Sequence, residues 1–413
     1  MAAIKKTPVI RFKGFEEEWE KKTLNSLCSI LTKQTGFDYT TTIKPSLVKY
    51  FSPDNYSFIQ NKDFFGNDVN LKTDFYIPKK IAELYPNILL DKPSILISIS
   101  GKIGNVGFYQ LSKKAFIGGP VGICKLLAPS DGLFILYNLL SDKGQKYFQS
   151  LIKASSHSNI TVEDIRKIPI YLPTSKLERP QIGNYFKGLD GLIHLEEQKL
   201  EKLTNLKKAM LDKMFPKDGA DIPEIRFKGF SEKWKKKKLG EVGSVAMNKR
   251  IFKHQTKEIG EVPFFKIGTF GGKADAFISR GIFEDYKAKY PYPDKGDILI
   301  SASGSIGKTV EYLGVDEYFQ DSNIVWLKHD NSVLNIFLKY FYSIVKWSGL
   351  EGSTIKRLYN SNILNTCISL PSIQEQQKIG EYFQNLDQLI NQFQEKIEQL
   401  KHLKQALLQK MFI

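Results

Sequence analysis

The chain has 413 residues, 42% of them hydrophobic, with 60 Lys and Arg against 44 Asp and Glu and a formal net charge of +16. That length allows two domains, and the hydrophobic share is that of a folded protein. A basic surplus of this size points to a polyanionic partner, and nucleic acid fits better than a membrane surface, because no apolar run approaches the ~20 residues of a membrane span. The N-terminal segment MAAIKKTPVI lacks the apolar core of a signal peptide. Cys28, Cys124 and Cys367 lie far apart without pairing or metal spacing, and read as free thiols of a cytoplasmic protein.

In chain order, residues 7–24 read TPVIRFKGFEEEWEKKTL, and residues 222–239 read IPEIRFKGFSEKWKKKKL. Gly14 and Gly229 fit turns after a short extended piece. Residues 95–109, ILISISGKIGNVGFY, recur as ILISASGSIGKTVEY at 298–312. Alternating apolar residues around a Gly turn predict strand, turn, strand. Apolar helices are expected at 133–140 and 334–345, and short β segments closed by Leu-Pro at 168–173 and 367–371. Residues 28–93 and 243–293 show no visible match to each other.

The strongest repeat closes each half. Residues 182–215 and 379–412 align without a gap and share 18 of 34 positions, so a common role is required. Both are helical by pattern, about 50 Å long at about 1.5 Å per residue. A 3-4-3-4 seam runs through Phe186, Leu189, Ile193, Glu196, Leu200, Leu203, Lys207 and Met210 in one copy. In the other it runs through Phe383, Leu386, Ile390, Phe393, Ile397, Leu400, Lys404 and Leu407. Such a seam suits a coiled-coil pair, with each helix the simplest partner of the other. Packed antiparallel, the pair would give the molecule a pseudo-two-fold axis. The expected fold class is therefore α+β: two similar mixed α/β domains at 1–174 and 216–371, separated by long spacer helices at 175–215 and 372–413. A framework kept twice around two divergent regions suits a bipartite target with two different halves.

Enzyme signatures fail. Residues 302–309, ASGSIGKT, resemble a phosphate-binding loop, but the first position is Ala and β-like sequence follows, so no helix N-terminus would face a phosphate. The histidines are scattered, which argues against a metal site. No amino-methyltransferase motif and no dinucleotide fingerprint is present. The Lys235–Lys238 run is matched by Glu-Lys-Lys-Thr in the first half, so it reads as a solvated face. Phosphate and base contacts are better sought in the Gly hairpins, with Ser100, Lys102 and Asn105 in one half and Ser303, Ser305 and Lys308 in the other. The polar segments before each exit strand add His157, Asn159, Lys356 and Arg357.

Taken together, IRFKGFxxxW, ILISxSGxIG, GSTIKRLYNSNI and the helix opening IGxYFxxLDxLI make the chain resemble the specificity (S) subunit of type I restriction-modification systems. LPSIQEQQKIGEYF fits that family's helix entry, while LPTSKLERPQIGNYF departs from it at Arg179-Pro180. The resemblance implies two target-recognition domains, each reading one half of a split asymmetric site on double-stranded DNA. It implies long helices that set the gap and carry two modification (M) methyltransferase subunits, with restriction (R) subunits joining them. The chain itself would be non-catalytic and bind no cofactor. S-adenosylmethionine, ATP and Mg would belong to the partners. A stand-alone two-headed DNA-binding regulator is the alternative.

Overall fold

The computed structural model describes residues 7–154, 159–349 and 357–413. The chain forms two compact units, Met1–Glu197 with Glu395–Ile413, and Gln198–Gln394. Both divisions fall inside long helices, Glu178–Lys213 and Ile373–Lys410. Each unit therefore holds the beginning of one long helix and the end of the other.

The first unit is built on a four-stranded antiparallel sheet, ordered Cys28–Lys33, Val121–Leu126, Ser94–Ser98, Val106–Tyr109. Every residue of the last three strands is buried, which accounts for their apolar runs: a strand covered on both faces has no solvent side to mark with polar residues. Helix Gly132–Leu140 is buried along nearly its whole length and packs with this sheet. A second sheet, ordered Tyr76–Pro78, Asn55–Ile59, Ala115–Ile117, Leu89–Leu90, contains one parallel pair, Asn55–Ile59 with Ala115–Ile117. Phe58, Ile77 and Phe116 form its core. The entry strand Glu20–Thr23 pairs antiparallel with the exit strand Pro169–Leu172.

The second unit repeats this plan. Its main sheet is ordered Gly243–Ala246, Ile324–His329, Ile298–Ser301, Thr309–Glu311, and its smaller sheet Phe277–Ile278, Val262–Phe265, Tyr318–Phe319. The smaller sheet again has one parallel pair, Phe264 opposite Tyr318. The regions without visible sequence match thus supply equivalent strands. Strand Lys235–Lys238 pairs with Cys367–Leu370, and three of its four lysines are exposed. The phosphate-loop look-alike at 302–309 connects two strands through Gly304 (φ +65°) and Gly307 (φ +77°). It is a glycine turn, and no helix begins there.

Within each unit the two helix segments run antiparallel. In the first, Asp190 meets Lys404 at 2.5 Å and Glu196 meets Lys396 at 3.1 Å. In the second, Asp387 meets Lys207 at 2.5 Å. Phe186, Ile193, Phe383, Leu386 and Ile397 are buried. Leu189, Leu200, Leu203, Met210, Ile390, Phe393, Leu400 and Leu407 are half-buried. The lysines at two seam positions have a specific purpose. Lys404 lies 5.6 Å over the Tyr137 ring, whose hydroxyl donates to Asp190 at 2.7 Å. Lys207 lies 5.7 Å over Tyr340, whose hydroxyl donates to Asp387 at 3.0 Å. Burial, followed by the neighbouring carboxylate, pushes the pKa of both phenols up, so they stay neutral donors.

The tip of each helix closes the unit begun by the other repeat. Phe412 packs on Phe134, Phe186 and Trp19, with ring centroids 5.4, 5.7 and 6.4 Å away. Phe215 packs on Phe337, Trp234 and Phe383 at 5.3, 6.1 and 6.4 Å. The IRFKGF arginines clamp the start of the helices: Arg11 donates to both oxygens of Glu178 at 2.7 and 2.8 Å, and Arg226 to both of Glu375 at 2.6 and 2.7 Å. Both carboxylates are buried, and a bidentate guanidinium satisfies them where a lysine would serve one oxygen.

Candidate nucleic-acid interface

The antiparallel register of the main sheet brings three connections to one end. In the first unit Lys33 pairs with Gly122, Val121 with Ser98, and Ile97 with Val106. The segment after Lys33, the turn before Val121 and the Gly hairpin at 99–105 therefore share one rim. The exit segment joins them, because Ser100 bridges Asn159 and the Ile160 amide donates to the Ile99 carbonyl at 2.9 Å. A cleft of about 270 Å³ opens here, lined by Lys33, Gln34, Thr35, Tyr39, Ser100, Gly119 and Asn159.

Gln34 forms the floor of this cleft. It is 5% exposed, and its Oε1 accepts from the Gly119 amide at 2.8 Å. Because the backbone N–H can only donate, that bond fixes which end of the amide is oxygen. Nε2 is buried, with no hydrogen-bond partner among the described residues. Gly119 sits at φ +57°, the left-handed region that admits glycine without strain.

In the second unit the same rim carries different chemistry. Ser322 replaces the glycine yet keeps φ +54°, a conformation that costs a non-glycine residue about 1 kcal/mol. Arg250 Nε donates to Asp321 Oδ2 at 2.9 Å, and Arg357 donates to the Ser322 carbonyl at 3.3 Å. Two guanidiniums from separate segments thus converge on one strained turn. The Leu358 amide donates to the Ala302 carbonyl at 2.8 Å, matching the Ile160–Ile99 bond. A carboxylate holding an arginine by Nε orients the rest of its planar fork, the geometry that matches guanine or phosphate acceptors.

The residues expected at the interface divide into four groups. Ser100, Asn159 and Arg357 lie on the rim, and Lys102 is exposed on the hairpin. Ser303 Oγ donates to Asn323 Oδ1 at 2.8 Å, and the Ser305 carbonyl accepts from Ser301 Oγ. Two others have internal work. The Asn105 amide donates to the Asn61 and Phe64 carbonyls, both at 2.9 Å. Lys308 donates to the Phe270 carbonyl. His157 and Lys356 fall outside the described residues. Gln34, Thr35, Arg250 and Asp321 were not anticipated. Gln34, Thr35 and Arg250 lie in the regions without an obvious match between the halves, where the sheet register relates the copies and sets Gln34 against Asn248 and Thr35 against Lys249, while Asp321 stands in the turn before Ile324–His329.

Among the described residues no group of His, Cys, Asp or Glu could hold a metal, and no helix is long and apolar enough to cross a membrane. One frame is used twice, with different polar and basic rims. The type I restriction modification DNA specificity domain matches residues 16–205 and again 231–402. A type I restriction enzyme specificity subunit from Haemophilus influenzae is 54% identical over 158 residues, 38% of this chain and 41% of that relative's length. The specificity subunit of type I restriction enzyme MjaVIII from Methanocaldococcus jannaschii is 22% identical over 87% of this chain and 89% of its own. The crystal structure of the type I restriction-modification S subunit from M. genitalium has the same fold, with TM-score 0.62 at 20% identity over 98% and 99% of the two chains. The chain belongs to the type I restriction-modification DNA specificity family.

Proposed function

We propose that this chain is the non-catalytic DNA-reading subunit of a type I restriction-modification complex, with each unit reading one half of a split double-stranded site through its rim. The long helices set the gap between the halves and carry two modification (M) methyltransferase subunits, to which restriction (R) subunits add. S-adenosylmethionine, ATP and Mg act on those partners. The observation that carries this function is the contrast between frame and rim. The Arg–Glu clamps, the Tyr–Asp–Lys triads and the Phe tips recur in both units, while Gln34, Thr35, Gly119 and Asn159 give way to Asn248, Lys249, Ser322 and Arg357. A frame selected for sameness around rims free to differ is what two independent readers need.

Methylome sequencing of a host expressing this chain with its neighbouring methyltransferase tests the proposal. The expected result is one bipartite methylated motif, of which only one half changes when residues 28–93 are exchanged for those of a relative. Simultaneous change of both halves contradicts it. Tight DNA binding by the chain alone, with no methylated motif, would favour a regulator.

A further inference from the structure

We propose that Tyr290 is a positioning residue for DNA binding: its ring holds the Lys249 ammonium at the rim of the second unit, where that ammonium meets a backbone phosphate of bound duplex DNA. This rests on the proposal that each rim holds DNA. The sheet register sets Lys249 against Thr35 of the first unit. Thr35 turns its hydroxyl back on its own chain, accepting from the Asp38 amide at 3.2 Å. The second unit places an exposed cation at the matching position, so the two rims differ there in charge.

The backbone that carries Lys249 is held on both sides. Asn248 is 2% exposed, and its Nδ2 donates to the Pro291 carbonyl at 3.4 Å. The hydroxyl of buried Tyr318 donates to the Lys249 carbonyl at 3.0 Å. Arg250, the next residue, is paired with Asp321. Only the lysine side chain is then left to be placed. Its ammonium lies 4.9 Å from the centroid of the Tyr290 ring.

Tyr290 is itself built in from the core. It closes helix Arg280–Lys289, its amide donating to the Tyr286 carbonyl at 2.9 Å. Its ring meets Tyr286 edge-on at 5.5 Å, and Tyr286 meets Tyr318 at 6.2 Å. Tyr318 stands opposite Phe264 in the smaller sheet, so a ladder of three rings runs from that sheet to Tyr290, which is 38% exposed. A lysine loose in water has many rotamers to lose on binding. A ring face attracts the ammonium through its quadrupole, and so removes part of that ordering cost beforehand. The ammonium has three donors and no fixed fork, so contact with the ring on one side leaves donors for a phosphate oxygen on another. Lys249 therefore adds affinity without choosing bases.

The test uses the chain assembled with its methyltransferase, on a duplex carrying its methylated motif, with Kd measured by fluorescence anisotropy over a range of salt. Lys249→Ala should weaken binding and reduce the slope of log K against log salt by about one. Tyr290→Leu should weaken Kd roughly two- to five-fold with an unchanged motif, and Tyr290→Phe, which keeps the ring, should bind as the wild type does. In a Lys249→Ala background, Tyr290→Leu should cost nothing further. That cycle keeps the proposal testable even where Tyr290→Leu lowers the unfolding midpoint. The same loss in both backgrounds overturns the positioning role, since the ring would then act on DNA or on the fold by itself. Tyr290→Phe as weak as Tyr290→Leu also overturns it, as does Tyr290→Leu binding like the wild type. Lys249→Ala with unchanged affinity and slope overturns the phosphate contact. A wild-type complex that does not prefer its motif over scrambled duplex overturns the DNA-reading proposal instead.

Discussion

Lys404 sits 2.5 Å from Asp190, and each belongs to a different long helix. The same contact recurs at Lys207 and Asp387, again at 2.5 Å. Each pair is completed by a tyrosine whose hydroxyl donates to the carboxylate, so one charge is satisfied from two sides. A double-mutant cycle with Lys404→Met and Asp190→Asn should give a coupling of about 1–3 kcal/mol in chemical unfolding. A coupling near zero would mean that the seam lysine is only a solvated side chain.

The helix tips should matter more. Phe412→Ala removes a ring shared by Trp19, Phe134 and Phe186, and Phe215→Ala does the same in the second unit. Each should cost about 3–5 kcal/mol, read as a lower unfolding midpoint. Phe412→Leu should recover part of that loss.

Base reading should follow the two rims separately. Arg250→Ala removes the fork that Asp321 orients, and should relax one position of one half-motif by about 1–3 kcal/mol. Gln34→Leu removes the bond that holds the Gly119 turn at the cleft, and should relax a position in the other half. Methylome sequencing of each variant checks both outcomes.

Much of the frame was legible because repetition compensates for weak local signals. The Gly hairpins, the apolar helices, the exit strands and the helix seam each recur in order, and the observed elements Gly132–Leu140 and Asn335–Ile344 fall on the two apolar runs. The lysines at seam positions 207 and 404 had no explanation in sequence, because their partners Tyr137 and Tyr340 come from a distant helix. The rim was harder to see. Strands such as Asn55–Ile59 and Val262–Phe265 need only a burial pattern, so their side chains diverge freely and hide the correspondence. Asn105 and Lys308 looked like exposed polar groups on a hairpin, and only tertiary contacts with Asn61, Phe64 and Phe270 reveal their bracing work.

Lys102 is exposed on its hairpin. Lys102→Ala should weaken binding to all DNA sequences alike and reduce the slope of log K against log salt by about one. Lys308→Ala, whose ammonium already serves the Phe270 carbonyl, should lower stability while leaving ATP hydrolysis by an assembled complex unchanged. Salt titrations of DNA affinity and a hydrolysis assay separate the two.

The central claim is that the helix pair is a ruler between two readers. Seven residues inserted after Leu203 and seven after Leu400 keep the heptad seam and lengthen both helices equally, so both Asp–Lys contacts can still form. The extension is about 10 Å at about 1.5 Å per residue, or about three base pairs at about 3.4 Å each. Methylome sequencing of a host carrying this variant should show both half-sequences unchanged, with up to about three additional unspecified base pairs between them. A stable, active variant whose gap stays the same would contradict the account.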